Sequence, residues 1–251
     1  RLAYDTSVLD QICGGRLVLG VGLGNPGIWK RFGVDRETVG QRADEMILAL
    51  RALWAGEDGY EGDLVRAAGG ISPRPVQQGG PPILVGGKIA RSARRAATHG
   101  DGFVGGTHFT WDQLRRLIGL YHDALEVEGK IAEGSTVSAN RIVILADNPD
   151  EAWEDAAPYL MKLFRVYAKI GLVENADALF DPELEILEVL KDLVRDICLV
   201  GSPETVAATL TDYAAAGVTQ LQLRPAPAFM PTSLVERTVR LAGEELVPAF
   251  D

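Results

Sequence analysis

Two cysteines in 251 residues, Cys13 and Cys198, are too few and too far apart for a disulfide framework or a zinc knuckle. Both are expected to be packed, reduced thiols. The three histidines, His99, His108 and His122, fall in no H-x-x-x-H or Cys/His cluster, which leaves no metal site to nominate. Ser7, Ser92 and Ser135 lie in no G-x-S-x-G elbow, so a hydrolase reading finds no support either. No apolar run approaches the ~20 residues that span a bilayer, and the first residues lack the sections of a signal peptide. The expectation is a cytoplasmic chain without a membrane partner. A basic face is missing as well: the net charge of −10 comes from acids scattered over helix faces, which excludes the phosphate-neutralising surface of a nucleic-acid binder. A small-molecule substrate is the partner class left standing.

What is present is a chain 47% apolar and 24% charged, ordinary for a globular protein and enough for one sizeable core, so a single domain over 1–251 is expected. Short apolar runs alternate with longer helical patterns, the mark of parallel strands joined by crossover helices. The strand candidates are Arg16 to Gly22, Pro82 to Gly87, Gly102 to Gly105, Val137 to Leu145 and Val218 to Leu223. Thr38 to Trp54 and Trp111 to Gly129 carry apolar residues at helical spacing, and Thr110 with Gln113 reads as a capping box. Ser202-Pro203 opens another helix, and Gly217 stands where it must stop.

Pro149 to Val194 breaks the rhythm. It reads as two successive helices, the second starting at Asp181-Pro182, and forms a helical insertion at about 149–195. It is too apolar for a free linker, so it packs on the strands, covers a pocket or meets another subunit; a homo-oligomer is part of that expectation. Between Ala68 and Pro82 runs a Pro/Gly-dense connection into a buried strand.

Gly22-Leu23-Gly24-Asn25-Pro26-Gly27 satisfies the G-x-G-x-x-G spacing of a dinucleotide fingerprint. That motif needs a helix opening inside it and a second strand ending in an acid ~20 residues on. The sequence suggests neither, because Pro26, Trp29 and Phe32-Gly33 read as a continued irregular loop, so a βα loop of a barrel is the preferred reading.

GGRLVLGVGLG from Gly14, Phe32-Gly33, the Arg42-to-Trp54 helix ending in LRALW, Tyr60-Glu61-Gly62, SPRPVQ and PPILVGG, SARRAATHGDGF from Ser92, and LVGSPETVAATLTDYAAAGVTQLQL from Leu199 occur in that order. Together they resemble the bacterial-luciferase-like flavin-dependent oxidoreductases over nearly the whole chain. The resemblance implies an α/β fold of the (β/α)8 TIM-barrel type and reduced FMN or coenzyme F-420 as cofactor. It also implies monooxygenation or hydride transfer on a small organic substrate, with a flavin reductase as a partner supplying reduced FMN. Such proteins carry about three βα units before the segment that Arg1 to Gly15 resembles, so the chain is expected to be N-terminally incomplete. In several such proteins that earlier portion supplies a histidine or other group acting on substrate, so no catalytic residue is nominated here. Arg31 stands where an acid often precedes the Phe-Gly pair, which puts any role of that acid in doubt.

Function in a βα barrel is built by the loops after strand C-termini. Gly86 and Gly87 lead through Lys88 to Arg91 and offer bare N–H groups, a helix N-terminus and cations to a phosphate; a tight turn alone is the other reading. Gly22, Gly24 and Asn25 would let the backbone approach the cofactor, or serve only as a turn. Thr107, His108 and Arg224 are candidates for the mouth of the barrel, against a solvated loop and a surface ion pair. From another class, a non-catalytic flavin-binding or subunit-interaction protein of the same fold is the alternative.

Overall fold

The computed structural model describes residues 1–173, 176–181 and 184–250. They gather into two compact units, residues 1–104 with 117–137, and residues 105–116 with the chain from Ser138 onward. Among the described residues no helix is long and apolar enough to cross a membrane.

In chain order the first unit holds α1 (Leu2–Cys13), β1 (Leu19–Val21), α2 (Pro26–Arg31), α3 (Val39–Ala55), β2 (Gly59–Glu61), β3 (Arg66–Ala68), β4 (Ile83–Gly86), α4 (Ala90–His99) and β5 (Gly102–Gly105). The long helix α5 (Trp111–Val127) follows β5 and gives Leu117, Ile118, Tyr121 and Leu125 to this unit as buried residues. Parallel registers Leu19–Ile83 and Val21–Val85, then Leu84–Gly102 and Gly86–Val104, set the order β1-β4-β5. Ile83, Leu84 and Val85 are all buried, because a parallel strand has both faces covered and therefore does not alternate. Trp54 of α3 donates its indole N–H to the Ala3 carbonyl of α1 at 3.1 Å, satisfying the one polar atom of a buried ring.

Two buried carboxylates pin the irregular stretches. Asp10 accepts from the Gln77 backbone N–H at 3.0 Å and the Gln77 side chain at 2.8 Å, anchoring the Pro/Gly-dense connection to α1. Glu45 of α3 accepts from the Leu64 and Val65 N–H groups at 2.7 and 2.8 Å and holds the turn between the antiparallel strands β2 and β3. Burial pushes both carboxyls up, but the hydrogen bonds outweigh it and leave each below its ordinary value of 3.8 for Asp10 and 4.5 for Glu45. A carboxyl depressed by folding stabilises the protein above its unfolded pKa, and that contribution is lost as pH falls through the folded value. The melting temperature of the wild type is therefore expected to drop as pH falls below about 4. An Asp10→Asn/Glu45→Gln variant should melt lower at neutral pH and show a flatter acid limb. Parallel acid limbs for the two proteins would remove these carboxyls as the cause.

The second unit holds β6 (Thr136–Leu145), α6 (Pro149–Lys169), a 3-10 turn (Asp177–Phe180), α7 (Ile186–Val194), β7 (Leu199–Gly201), α8 (Pro203–Ala215), β8 (Gln220–Arg224) and α9 (Thr232–Leu241). β6 pairs in parallel with β8 from Ser138–Gln220 to Ile142–Arg224, and with β7 from Val143–Leu199 to Leu145–Gly201. Ile142 and Ile144 share one core with Trp153, Leu160 and Phe164 of α6, Leu190 and Val194 of α7, and Cys198. The helical insertion thus buries its apolar face on the strands of its own unit. Burial pushes the Cys198 thiol up to about 12, which keeps it protonated, and Cys13 is also a free thiol. Arg237 of α9 bridges Glu151 and Asp155 of α6, both at 2.8 Å, and donates to the Leu145 carbonyl at 3.1 Å.

Several elements differ from the sequence reading. A helix does open inside the G-x-G-x-x-G segment: α2, with Asn25 as N-cap and Pro26 in its first turn, replaces the expected loop. Asn followed by Pro is a helix-start signal, obscured here because the helix is only six residues long. Among the described residues β1 still lacks the second strand of a dinucleotide fold, since its parallel neighbour is β4, which ends in Gly86 and not in an acid. β1 is confined to Leu19–Val21, and β2, β3 and β7 are additional strands. The second helix of the insertion starts at Ile186, while Pro182 lies outside the described residues.

Candidate functional site

The parallel register places the end of β1 beside the end of β4, so Gly22 follows Val21 where Gly86 follows Val85. Of the residues expected around a cofactor, Gly22, Gly24, Asn25, Gly86, Gly87, Lys88 and Arg91 all fall on these two adjacent strand ends and the segments leaving them. Gly22 is exposed, and a Cβ built on it meets nothing within 4 Å. Gly24 has φ 72°, and Trp29 closes this loop by donating its indole N–H to the Leu23 carbonyl. Asn25 is committed to α2: its Oδ1 accepts the Ile28 N–H at 3.1 Å.

Beyond β4 the geometry is tighter. A Cβ on Gly87 would lie 2.1 Å from Ser92 Oγ and 2.6 Å from Ser92 Cβ, so the backbone passes directly over Ser92, which is buried in the first turn of α4. Gly86 approaches Val104, 3.1 Å from its Cγ1 to the built Cβ. These contacts explain both glycines without a ligand, so the phosphate reading must rest on other features. Such features exist: the N-cap of α4 is Ile89, which supplies no side-chain cap, and since the Ser92 N–H is taken by the Ile89 carbonyl at 2.9 Å, the Ala90 and Arg91 N–H groups are the first-turn donors left to face a ligand. Arg91 is exposed in that same turn, and Lys88 is exposed just before it. A helix N-terminus with uncapped donors and a neighbouring guanidinium suits an anion.

The second unit takes up the chain at Gly105, the last residue of β5, and continues into the segment Gly106-Thr107-His108-Phe109, closed by a Phe109 N–H bond to the Gly106 carbonyl at 3.3 Å. Thr107 and His108 are half-buried. The imidazole of His108 meets the Phe109 ring edge to face, with centroids 4.9 Å apart. Thr110 and Gln113 form the reciprocal capping box of α5, each side chain 3.2 Å from the other's backbone N–H. Arg224, half-buried, ends β8 level with Ile142.

Two groups on β6 escaped the sequence reading. Arg141 is fully buried and donates to the Tyr213 hydroxyl at 2.8 Å and to the Gly106 carbonyl at 3.3 Å. On the alternate positions of the strand, Asn140 donates to Gln222 of β8 at 3.2 Å, and Gln222 to Ser138 at 3.4 Å. The signal was available, since Ser138, Asn140 and Arg141 are polar residues inside a strand otherwise read as buried, and buried polar groups are the informative ones.

Residues 1–220 match the family described as luciferase-like monooxygenase. The oxygenase component of the flavin-dependent trigonelline monooxygenase of Acinetobacter baylyi is 30% identical over 157 residues, which cover 61% of this chain and 43% of that protein. The chain thus spans less than half the length of that relative. Among solved structures, the monooxygenase RslO1 from Streptomyces bottropensis superposes with a TM-score of 0.82 at 27% identity, covering 100% of this chain and 74% of that one. The F420-dependent tetrahydromethanopterin reductase of Methanopyrus kandleri shares the fold with a TM-score of 0.77 at 17% identity, over 100% of this chain and 79% of that one.

Proposed function

Because the chain belongs to the luciferase-like monooxygenase family, we propose that it is an oxidoreductase acting on a small organic substrate, by monooxygenation or hydride transfer, with reduced FMN or coenzyme F-420 as cofactor. One relative is named flavin-dependent and one structural neighbour F420-dependent, which supports keeping the two cofactors together. The first is also named an oxygenase component, which supports a separate flavin reductase as the source of reduced FMN.

The observation that carries this reading is the pairing of β1 with β4, which sets an open glycine turn beside an uncapped helix N-terminus and an exposed arginine. Those residues fit a phosphate-bearing group. The bound cofactor would supply the electron or hydride chemistry, and the protein its orientation and the exclusion of water. The Ala90 and Arg91 N–H groups of α4 and the Arg91 guanidinium would hold the phosphate, while Gly22 leaves room for the chain that joins it to the ring. Lys88, Arg91 and Arg94 would equally receive the carboxylates of a deazaflavin tail.

Fluorescence titration of the purified protein with FMN and with F-420 tests the reading directly. Arg91→Glu, an exposed change with little effect on the melt, is expected to weaken whichever cofactor binds by about tenfold or more, from the loss of charge-assisted hydrogen bonds. Equal affinity in wild type and variant would move the phosphate away from α4.

A further inference from the structure

Arg141 sits in the sheet with no exposure, and its hydrogen-bond partners are a phenol and a carbonyl, not a carboxylate. Among the described residues its Nη2 is buried without a partner. An apolar side chain packs more favourably in such a place than a charge lacking a counter-ion, so the arginine is explained by what it holds and not by what it adds to stability. What it holds is specific. Nε reaches the Tyr213 hydroxyl on α8, the guanidinium carbon lies 5.4 Å from the centroid of that ring, and Nη1 reaches the carbonyl of Gly106. Tyr213 in turn stacks on Trp111, the first residue of α5, with centroids 4.2 Å apart and planes 17° from parallel.

The segment Gly106–Thr110 is thereby fastened at both ends. Arg141 takes the Gly106 carbonyl, and the capping box takes Thr110. The imidazole between them packs close against the Gly106 backbone, its Cε1 3.1 Å from the position of a Cβ there. We propose that Arg141 and Tyr213 form a positioning pair that fixes the Gly106–Phe109 turn and so sets the aim of His108. Its functional half, His108 facing substrate or cofactor, rests on the oxidoreductase reading; the positioning half does not. Lysine cannot serve in place of Arg141, because a single ammonium does not span the two directions that a planar guanidinium bonds at once.

Histidine side-chain NMR of the full chain is the test, with His108→Gln identifying one of three histidine signals. In the wild type the His108 ring signal carries the ring-current shift of the Phe109 contact. In Tyr213→Phe it is expected to move part of the way toward the value of an exposed histidine, and in Arg141→Met and Arg141→Lys further, while the His99 and His122 signals stay in place. Tyr213→Phe keeps the stacked ring and removes only the hydroxyl, so it preserves the test if the arginine variants fail to fold. An unmoved His108 signal in any folded variant of the pair overturns the proposal. Cofactor affinity plays no part in this measurement, so a failed titration with FMN and F-420 would sink the functional reading and leave the positioning pair standing.

Discussion

Gly87→Ala is expected to lower the melting temperature by roughly 5–20 °C, because the new methyl carbon must occupy space already held by Ser92. The built Cβ lies 2.1 Å from the Ser92 hydroxyl and 2.6 Å from its Cβ, and because Ser92 is buried and its Cβ is fixed to the helix backbone, rotating the hydroxyl does not relieve the clash. The backbone φ of 156° is also one that side-chain-bearing residues rarely adopt. Overpacking and backbone strain together cost about 2–6 kcal/mol. Adding Ser92→Gly removes the steric part and should restore much of the melt, leaving the strain. Simple additivity of the two changes would show that the contact is not the cause. The double variant also isolates the ligand question. If the N–H groups leading into α4 hold a phosphate, FMN or F-420 affinity stays depressed after the fold recovers; full recovery of both returns Gly86 and Gly87 to the role of a turn.

Phe164→Ala should cost about 3–5 kcal/mol, the range for emptying a fully enclosed aromatic site. Phe164 is wholly buried on α6 and packs with Tyr167 edge to face at 5.6 Å, within the core that Ile142 and Ile144 share with α7. The consequence is local before it is global. Amide hydrogen exchange is expected to accelerate first in α6 and α7, with β4 and α3 retaining their protection. Uniform acceleration along the chain would mean that the insertion is not a separately opening element.

Where a structural choice depends on neighbours a few residues away, it could be read from the residues themselves. Ser202 and Pro203 start α8, and Asn148 and Pro149 start α6, through side chains that bond N–H groups three residues on, at 3.3 and 2.9 Å. The apolar run of β4 announced a strand covered on both faces, and the alternation of such runs with helices announced parallel pairing. The ordered set of motifs placed the chain in its family, and residues 1–220 match it.

Other features have partners remote in sequence, and nothing local marks them. β7 is three residues long, too short to show a period, and exists only because Val143 to Leu145 lie beside it. The β2–β3 turn is held by a carboxylate about twenty positions earlier, Glu45, on a helix that looks amphipathic and unremarked in the sequence. Arg141 finds Gly106 across 35 positions and Tyr213 across 72, so although its place in a buried strand hinted at burial, its partners could not be read from the sequence. Helix caps and strand periodicity are energies of adjacent residues, which the sequence determined alone; the clamp on the His108 turn and the hold of Glu45 on the β2–β3 turn arise only when chain segments meet, and the tertiary structure decided them.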